Sequence, residues 1–174
     1  MVTRWSFLRS RANKFMLIDI SIPEQRLRLL DEANRVLAVY PVSTALNGPG
    51  ELKDSYRTPR GKHIVRAKIG VGCALGTVFA GRRPTGEIWT PALEAQQPGR
   101  DWILTRILWL SGCEPGKNRL GDCDTMQRYI YIHGTPDTEP MGEPRSHGCI
   151  RMRNADVVEL FDKVPVGTPV QITA

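Results

Sequence analysis

Two histidines and a cysteine stand close together in Tyr129 to Met152, YIYIHGTPDTEPMGEPRSHGCIRM. A thiol is a useful nucleophile only as a thiolate, so it needs a nearby imidazole to take its proton and a third group to orient that imidazole. Cys149 has two candidate bases, His133 at the end of a strand-like run and His147 two residues away. In an extended segment His147 and Cys149 point to the same face, and spacing alone leaves both histidines open. Glycine at position 148 permits close backbone approach, and the amides of Gly148 and Cys149 can donate to a developing oxyanion. Together these groups form the parts of an acyl-transfer site.

Blander readings compete with this one. A lone cysteine is usually a small buried hydrophobe. His133, His147 and Cys149 could also ligate a metal, with Cys113 or Cys123 as the fourth ligand. Structural zinc sites draw their ligands in close pairs such as C-x₂₋₄-C, and the chain has none, so neither metal nor cofactor is expected. His63 follows a turn sequence and reads as the start of a strand. Cys73 reads as inert, Trp89 as a packing residue, and Arg82 and Arg83 as solvated basic surface. Arg145 and Arg151 lie near the cysteine, where their planar donors suit substrate carboxylates.

The elements that must position these residues are mostly strands. Period-two patterning marks Phe15 to Ile22, Arg26 to Asp31, Val36 to Val42, His63 to Ile69, Trp102 to Leu110, Arg128 to His133 and Thr168 to Ile172. Turn residues crowd NGPGE (Asn47 to Glu51) and RTPRGKH (Arg57 to His63). Residues 70 to 100 are rich in Gly and Pro without a sustained period and predict a long irregular insertion. Asn154 is placed to cap a short helix through about Val164, with Asp156 in its first turn and Val157, Val158, Leu160 and Phe161 on its apolar side. The fold class expected is mainly β, a sandwich or barrel-like sheet with one or two short helices. Residues 1–15 form an N-terminal extension and 16–174 the single domain.

The 174 residues, 41% of them hydrophobic, suffice for one core. Their 24 basic and 18 acidic residues leave a net charge of +6. The basic residues are scattered, without the dense run or aromatic interleaving of a nucleic-acid footprint, so no nucleic-acid partner is expected. No apolar run approaches a membrane span, and the basic start MVTRWSFLRSRANK leads into a segment cut by Asp19 rather than an export signal. A cytoplasmic location is therefore expected, or a periplasmic one for a processed chain. In the cytoplasm the four cysteines read as free thiols, with Cys113 and Cys123 the pair able to bridge in an exported protein.

The signature His-Gly, then a loop, then Ser-His-Gly-Cys resembles that of the YkuD-type L,D-transpeptidase family. The resemblance extends through PVSTALNGPGE, TPRGKH and VPVGTPVQI, and covers most of the chain after Met16. It implies a β-rich sandwich, His133 as general base oriented by the backbone carbonyl of Gly134, and Cys149 as nucleophile. Ser146, His147 and Gly148 then line the site. It also implies a peptidoglycan tetrapeptide stem as substrate, with terminal D-alanine expelled through a thioester, and acylation by carbapenem-type β-lactams. Water resolving the thioester makes an L,D-carboxypeptidase, and a second stem makes a transpeptidase forming 3→3 cross-links. The missing export signal favours the carboxypeptidase, acting on recycled stems. Outside this class stand a non-catalytic peptidoglycan-binding module and a thiol or zinc sensor. Two features depart from the family pattern. The loop between His133 and Ser146 is short, and Arg151 stands where many relatives have asparagine, which bears on acceptor recognition.

Overall fold

The computed structural model describes residues 15–174. The extension expected over 1–15 therefore lies, but for Phe15, outside the described residues. Ten strands form one curled sheet: β1 Met16–Ser21, β2 Arg26–Asp31, β3 Val36–Pro41, β4 Gly61–Ile69, β5 Thr77–Ala80, β6 Arg83–Ile88, β7 Ile103–Gly112, β8 Tyr131–Gly134, β9 Ile150–Met152 and β10 Pro169–Thr173. Two α-helices, α1 Pro91–Gln96 and α2 Asn154–Lys163, and a short 3-10 turn at Gly121–Cys123 complete the described residues. The mainly-β architecture with short helices is the one expected.

Strand β7 is the hub. Its C-terminal half pairs antiparallel with β4, Leu104 and Ile107 to Trp109 pair with β8 on the opposite edge, and its first residues pair with β5. β10 sits between β1, parallel to it, and β4. Alternating residues of these strands, including Ile18, Ile20, Leu27, Leu29, Val65, Leu108, Leu110, Ile132 and Ile150, are buried in one core. Helix α2 closes that core with Val157, Leu160 and Phe161, the i, i+3, i+4 stripe of an amphipathic helix. Pro165, just past Val164, cannot continue it.

Three expectations need correction. Residues 70–100 are not irregular: they hold the β5–β6 hairpin and α1. The hairpin escapes a periodicity search because β6, RPTGEI, buries none of its residues, and its order comes from pairing with β5. Asn154 does not cap α2 through its side chain; it is the first helical residue, after Arg153. Its amide donates to the Thr135 carbonyl at 2.9 Å and its oxygen accepts from Thr105 Oγ1, tertiary partners that outcompete the local cap. Strand β8 begins at Tyr131 rather than Arg128, because residues 126–129 form turns.

His63 is buried on β4, its Nδ1 3.0 Å from the Gly61 carbonyl and its Nε2 3.0 Å from Thr125 Oγ1. Burial lowers its pKa to about 4 from an ordinary 6.5. The unfolded chain then binds a proton that the folded one refuses, so stability is full above pH 6.5 and is lost as pH falls towards 4. The loss from this residue is on the order of 3 kcal/mol. Urea titrations at pH 7 and pH 4.5 should show the wild type losing more stability than His63→Gln; equal losses would remove His63 as the cause.

Candidate active site

The signature residues meet where β8 and β9 run parallel, in the register Ile132 to Ile150, His133 to Arg151 and Gly134 to Met152. Ile132 and Ile150 point into the core. Side chains alternate along a strand, so Tyr131 and His133 on β8, and Cys149 and Arg151 on and beside β9, share the opposite face. Cys149 packs there against the cluster of Phe79, Ile107 and Tyr131.

His133 is 1% exposed. Its Nδ1 lies 2.7 Å from the Gly134 carbonyl. A carbonyl only accepts, so Nδ1 carries the proton and Nε2 is left as the acceptor nitrogen of the neutral ring. Burial lowers the His133 pKa, against the opposing pull of the Asp101 carboxylate and the Gly134 carbonyl. The imidazole is therefore neutral at neutral pH.

Gly134 is needed for its lack of a side chain. A Cβ there would stand 2.5 Å from Asn154 Oδ1 and 2.7 Å from the Leu104 carbonyl. The crowding comes from an irregularity in β7, where the β8 register shifts between Leu104 and Ile107. Thr105 in that stretch is fully buried at a φ of +70°, rare for a β-branched residue. Its hydroxyl accepts from the Gly76 amide at 3.0 Å and donates to Asn154.

The half-buried Cys149 has its Sγ 3.4 Å from the Tyr129 carbonyl and accepts from the Tyr131 N–H at 3.3 Å. Its thiol proton is thus held by backbone, not by an imidazole. Burial pushes the thiol pKa up to about 12, only partly offset by the Tyr131 N–H. The resting pair is a thiol and a neutral imidazole.

Ser146, 1% exposed, shapes the loop before the cysteine: its hydroxyl donates to the Cys149 carbonyl at 2.5 Å and accepts from the Gly148 amide at 3.2 Å. The Gly148 amide is thereby engaged inside the loop, so the Gly148 and Cys149 amides do not form the free pair of oxyanion donors expected from the sequence. Gly148 adopts a φ of +132°, and a Cβ there would press on Ile130 Cδ1 at 3.1 Å. Thr58, fully buried, donates to the Gly148 carbonyl at 2.9 Å and accepts from the Ala45 amide at 3.0 Å. Residues 43–46 pair with Arg151 and Ser146. The PVSTAL and TPRGKH stretches are therefore the wall that holds the cysteine loop.

Arg151 is 8% exposed and binds Asp101 at 2.6 Å. His147 sits on the rim, largely exposed, with Nδ1 3.5 Å from the other Asp101 oxygen and its ring edge-on to Tyr56. Burial disfavours a charged Asp101, but His133, Arg151 and His147 together outweigh it and hold the carboxyl below its usual range. Arg145 is exposed and paired with Glu143 at 2.7 Å. Two open clefts meet here. One, of about 490 Å³, contains Cys149 with Tyr56, Arg82 and Tyr129. The other, of about 720 Å³, contains Glu94, Glu139, Glu143, Arg100 and Arg145. Asp101, His147 and Arg151 line both. Among the described residues no group of His, Cys, Asp and Glu side chains is arranged to hold a metal ion, and the four cysteines are free.

Residues 16–172 match the family model described as the YkuD L,D-transpeptidase catalytic domain. The chain belongs to that family. It is 37% identical over 130 residues to the Salmonella typhimurium protein named "Probable L,D-transpeptidase ErfK/SrfK", an alignment covering 67% of this chain and 40% of that one. Its fold is similar to that of an L,D-transpeptidase from Mycobacterium smegmatis, with a TM-score of 0.59 at 20% identity over 92% of this chain and 59% of that one. It is also similar in fold to L,D-transpeptidase LdtMt1 in complex with imipenem, with a TM-score of 0.54 at 18% identity over 92% and 59% of the two chains. The chain spans about 40% of the length of the first curated relatives it matches.

Within this YkuD-family domain, sequence reasoning missed Asp101, Thr58 and Arg128. Arg128 donates to the carbonyls of Gly50, Glu51 and Arg57, tying the 50s loop to the strand entry beside Cys149. Asp101 and Arg128 have no local pattern, Thr58 stands in the TPRGKH stretch without anything local to mark its role, and each works through partners distant in sequence. Arg82, read as solvated surface, instead lies against Trp109, Tyr129 and Tyr131.

Gly134→Ala should force the His133 carbonyl partner away from β7. We expect a loss of about 1–3 kcal/mol, typical of overpacking, together with slower acylation of Cys149. Thermal melts and intact-mass kinetics with imipenem would read both, and an unaltered melt with unaltered kinetics would refute the close-approach account.

Proposed function

We propose that this domain is a cysteine acyl-transferase acting on peptidoglycan tetrapeptide stems, and that it passes the acyl group to an amine as an L,D-transpeptidase. Cys149 is the nucleophile and His133 the base. The observation that carries the reading is the pair of clefts meeting at Asp101, His147 and Arg151, one containing the thiol and the other roomy and lined by both acidic and basic side chains. The first suits an acyl donor. The second, lined by Glu94, Asp101, Glu139 and Glu143 together with Arg100, Arg145 and Arg151, suits an acceptor stem that carries both an ammonium and carboxylates.

The thiol turns from the Tyr129 carbonyl towards Nε2 of His133, which takes its proton as the sulfur attacks the carbonyl of the third stem residue. The tetrahedral intermediate collapses to a thioester, the imidazolium gives its proton to the leaving D-alanine nitrogen, and the C–N bond breaks. An acceptor amine reaching from the second cleft to Cys149 then loses a proton to His133 and attacks the thioester, and the departing sulfur takes the proton back as the thiol. The high thiol pKa fits proton transfer coupled to attack better than a standing ion pair. Water entering the open groove gives a tripeptide instead, the carboxypeptidase outcome. Cross-linking acts on wall outside the cytoplasmic membrane, so this reading carries an extracytoplasmic site of action in place of the cytoplasmic one expected from the sequence.

Mass spectrometry of products from a disaccharide-tetrapeptide, with and without an added D-amino acid, tests the reading. Terminal-residue exchange or dimers, absent in Cys149→Ala, are expected. Tripeptide alone would make the enzyme a carboxypeptidase, and equal turnover by the alanine variant would remove the nucleophile.

The electrostatics predict a pH profile. Imipenem acylation should rise with pH through an apparent pKa below 6.5, as His133 loses its proton, and stay flat across neutrality. Asp101→Asn removes an anion that raises the His133 pKa, so the rising limb should move to lower pH. A limb that stays in place, or a second titration near pH 7, would contradict the neutral-pair description.

A further inference from the structure

Arg82 occupies an unusual place. It is the second residue of the two-residue turn Gly81–Arg82 between β5 and β6, with φ angles of +52° and +66°. Two left-handed residues make the hairpin turn that suits strand twist, and Asn, Asp and Gly normally fill it. An arginine there presents its side chain across to the active-site cleft. Nη1 donates to the Tyr131 hydroxyl at 3.0 Å, and the guanidinium lies 4.6 Å from the Trp109 ring and 4.8 Å from the Tyr129 ring. The Tyr131 N–H in turn donates to Cys149 Sγ at 3.3 Å. One residue therefore links the arginine to the sulfur.

Charge partners distinguish Arg82 from its neighbours. Arg100, Arg145 and Arg151 each pair with a carboxylate, at 2.8, 2.7 and 2.6 Å. Arg128 lines the same cleft as Arg82, but its donors go to backbone carbonyls. Among the described residues no carboxylate lies within ion-pair distance of Arg82, and its bond to Tyr131 uses one of five guanidinium donors. Asp101, the carboxylate lining that cleft, is held by Arg151. Aromatic rings that keep a guanidinium flat and short of an anion make a preorganised carboxylate receptor.

We propose that Arg82 is a specificity-determining residue that binds a carboxylate of the acyl-donor peptide in the Cys149 cleft. The proposal rests on the acyl-transfer reading for its substrate, but not for its anion recognition. Two carboxylates of a stem can serve, that of the leaving D-alanine and an internal one.

The test compares wild type, Arg82→Gln and Arg82→Lys. First, Cys149 is alkylated with iodoacetate, an anion, and with iodoacetamide, its neutral counterpart, and followed by peptide mapping to separate it from the other thiols. The iodoacetate-to-iodoacetamide rate ratio should fall about tenfold in Arg82→Gln, equivalent to roughly 1.4 kcal/mol, and recover in part in Arg82→Lys. A proportional change in both rates would mark Arg82 as a structural staple and overturn the proposal, as would an unchanged ratio. Second, KM is measured for the tetrapeptide and for versions amidated at the terminal or the internal carboxylate. Arg82→Gln should raise KM about tenfold, the loss falling on KM rather than kcat. The amide at which variant and wild type become equal identifies the carboxylate read. A KM equal in both proteins for every substrate would overturn the proposal. If the alkylation ratio shifts while neither protein turns over the tetrapeptide, the anion site stands and the acyl-donor reading falls.

Discussion

There is no room for a side chain at position 134. The β7 backbone, through the Leu104 carbonyl, and the Asn154 side chain close on Gly134 from two sides, and this contact decides where the imidazole of His133 can be. The Gly134 carbonyl that accepts from Nδ1 belongs to the same residue, so the contact that packs β8 onto β7 also sets the tautomer. The left-handed Thr105 and the diverted Asn154 serve it as well. Thr105 bends the backbone inward, and Asn154 gives up a helix cap to bridge Thr105 and Thr135. Local preference is overridden at both positions because the partners are buried, where a polar group left unsatisfied carries its own penalty.

The β8–β9 register divides labour between two faces. Ile132 and Ile150 anchor the pair in the core under α2, while His133, Arg151, Tyr131 and Cys149 are delivered to the other face. A one-residue slip would put the chemistry into the core, and the deep burial of the isoleucines opposes that slip. The same burial has an electrostatic consequence. It disfavours the thiolate and the imidazolium alike, so the site rests uncharged at Cys149 and His133 while Asp101 and Arg151 keep their charges as a pair on the rim.

Stretches far apart in sequence behave as one wall around the cysteine. Residues 43–46 bridge to Ser146 and Arg151, Thr58 holds the Gly148 carbonyl, and Arg128 ties the 50s loop to the strand entry. The hairpin tip at Arg82 closes the opposite side over Trp109 and Tyr129. The cleft is thus built by loops, on a sheet rigid enough to keep them in place.

The sequence by itself determined the strands whose apolar residues alternate, the amphipathic stripe of α2 and the His-Gly and Ser-His-Gly-Cys constellation, because each is written in a local period or a contiguous motif. It also carried the Gly134 carbonyl as the partner of His133, through resemblance to the YkuD family rather than through spacing. Only the tertiary structure decided the rest. The β5–β6 hairpin has no buried face on β6 to reveal it, Asn154 trades a local cap for distant partners, and the Gly148 amide turns inward to Ser146. Asp101, Thr58, Arg82 and Arg128 act through contacts across tens of residues, and a hydrogen bond or stacking contact between such distant residues leaves no period in the chain from which it could be read.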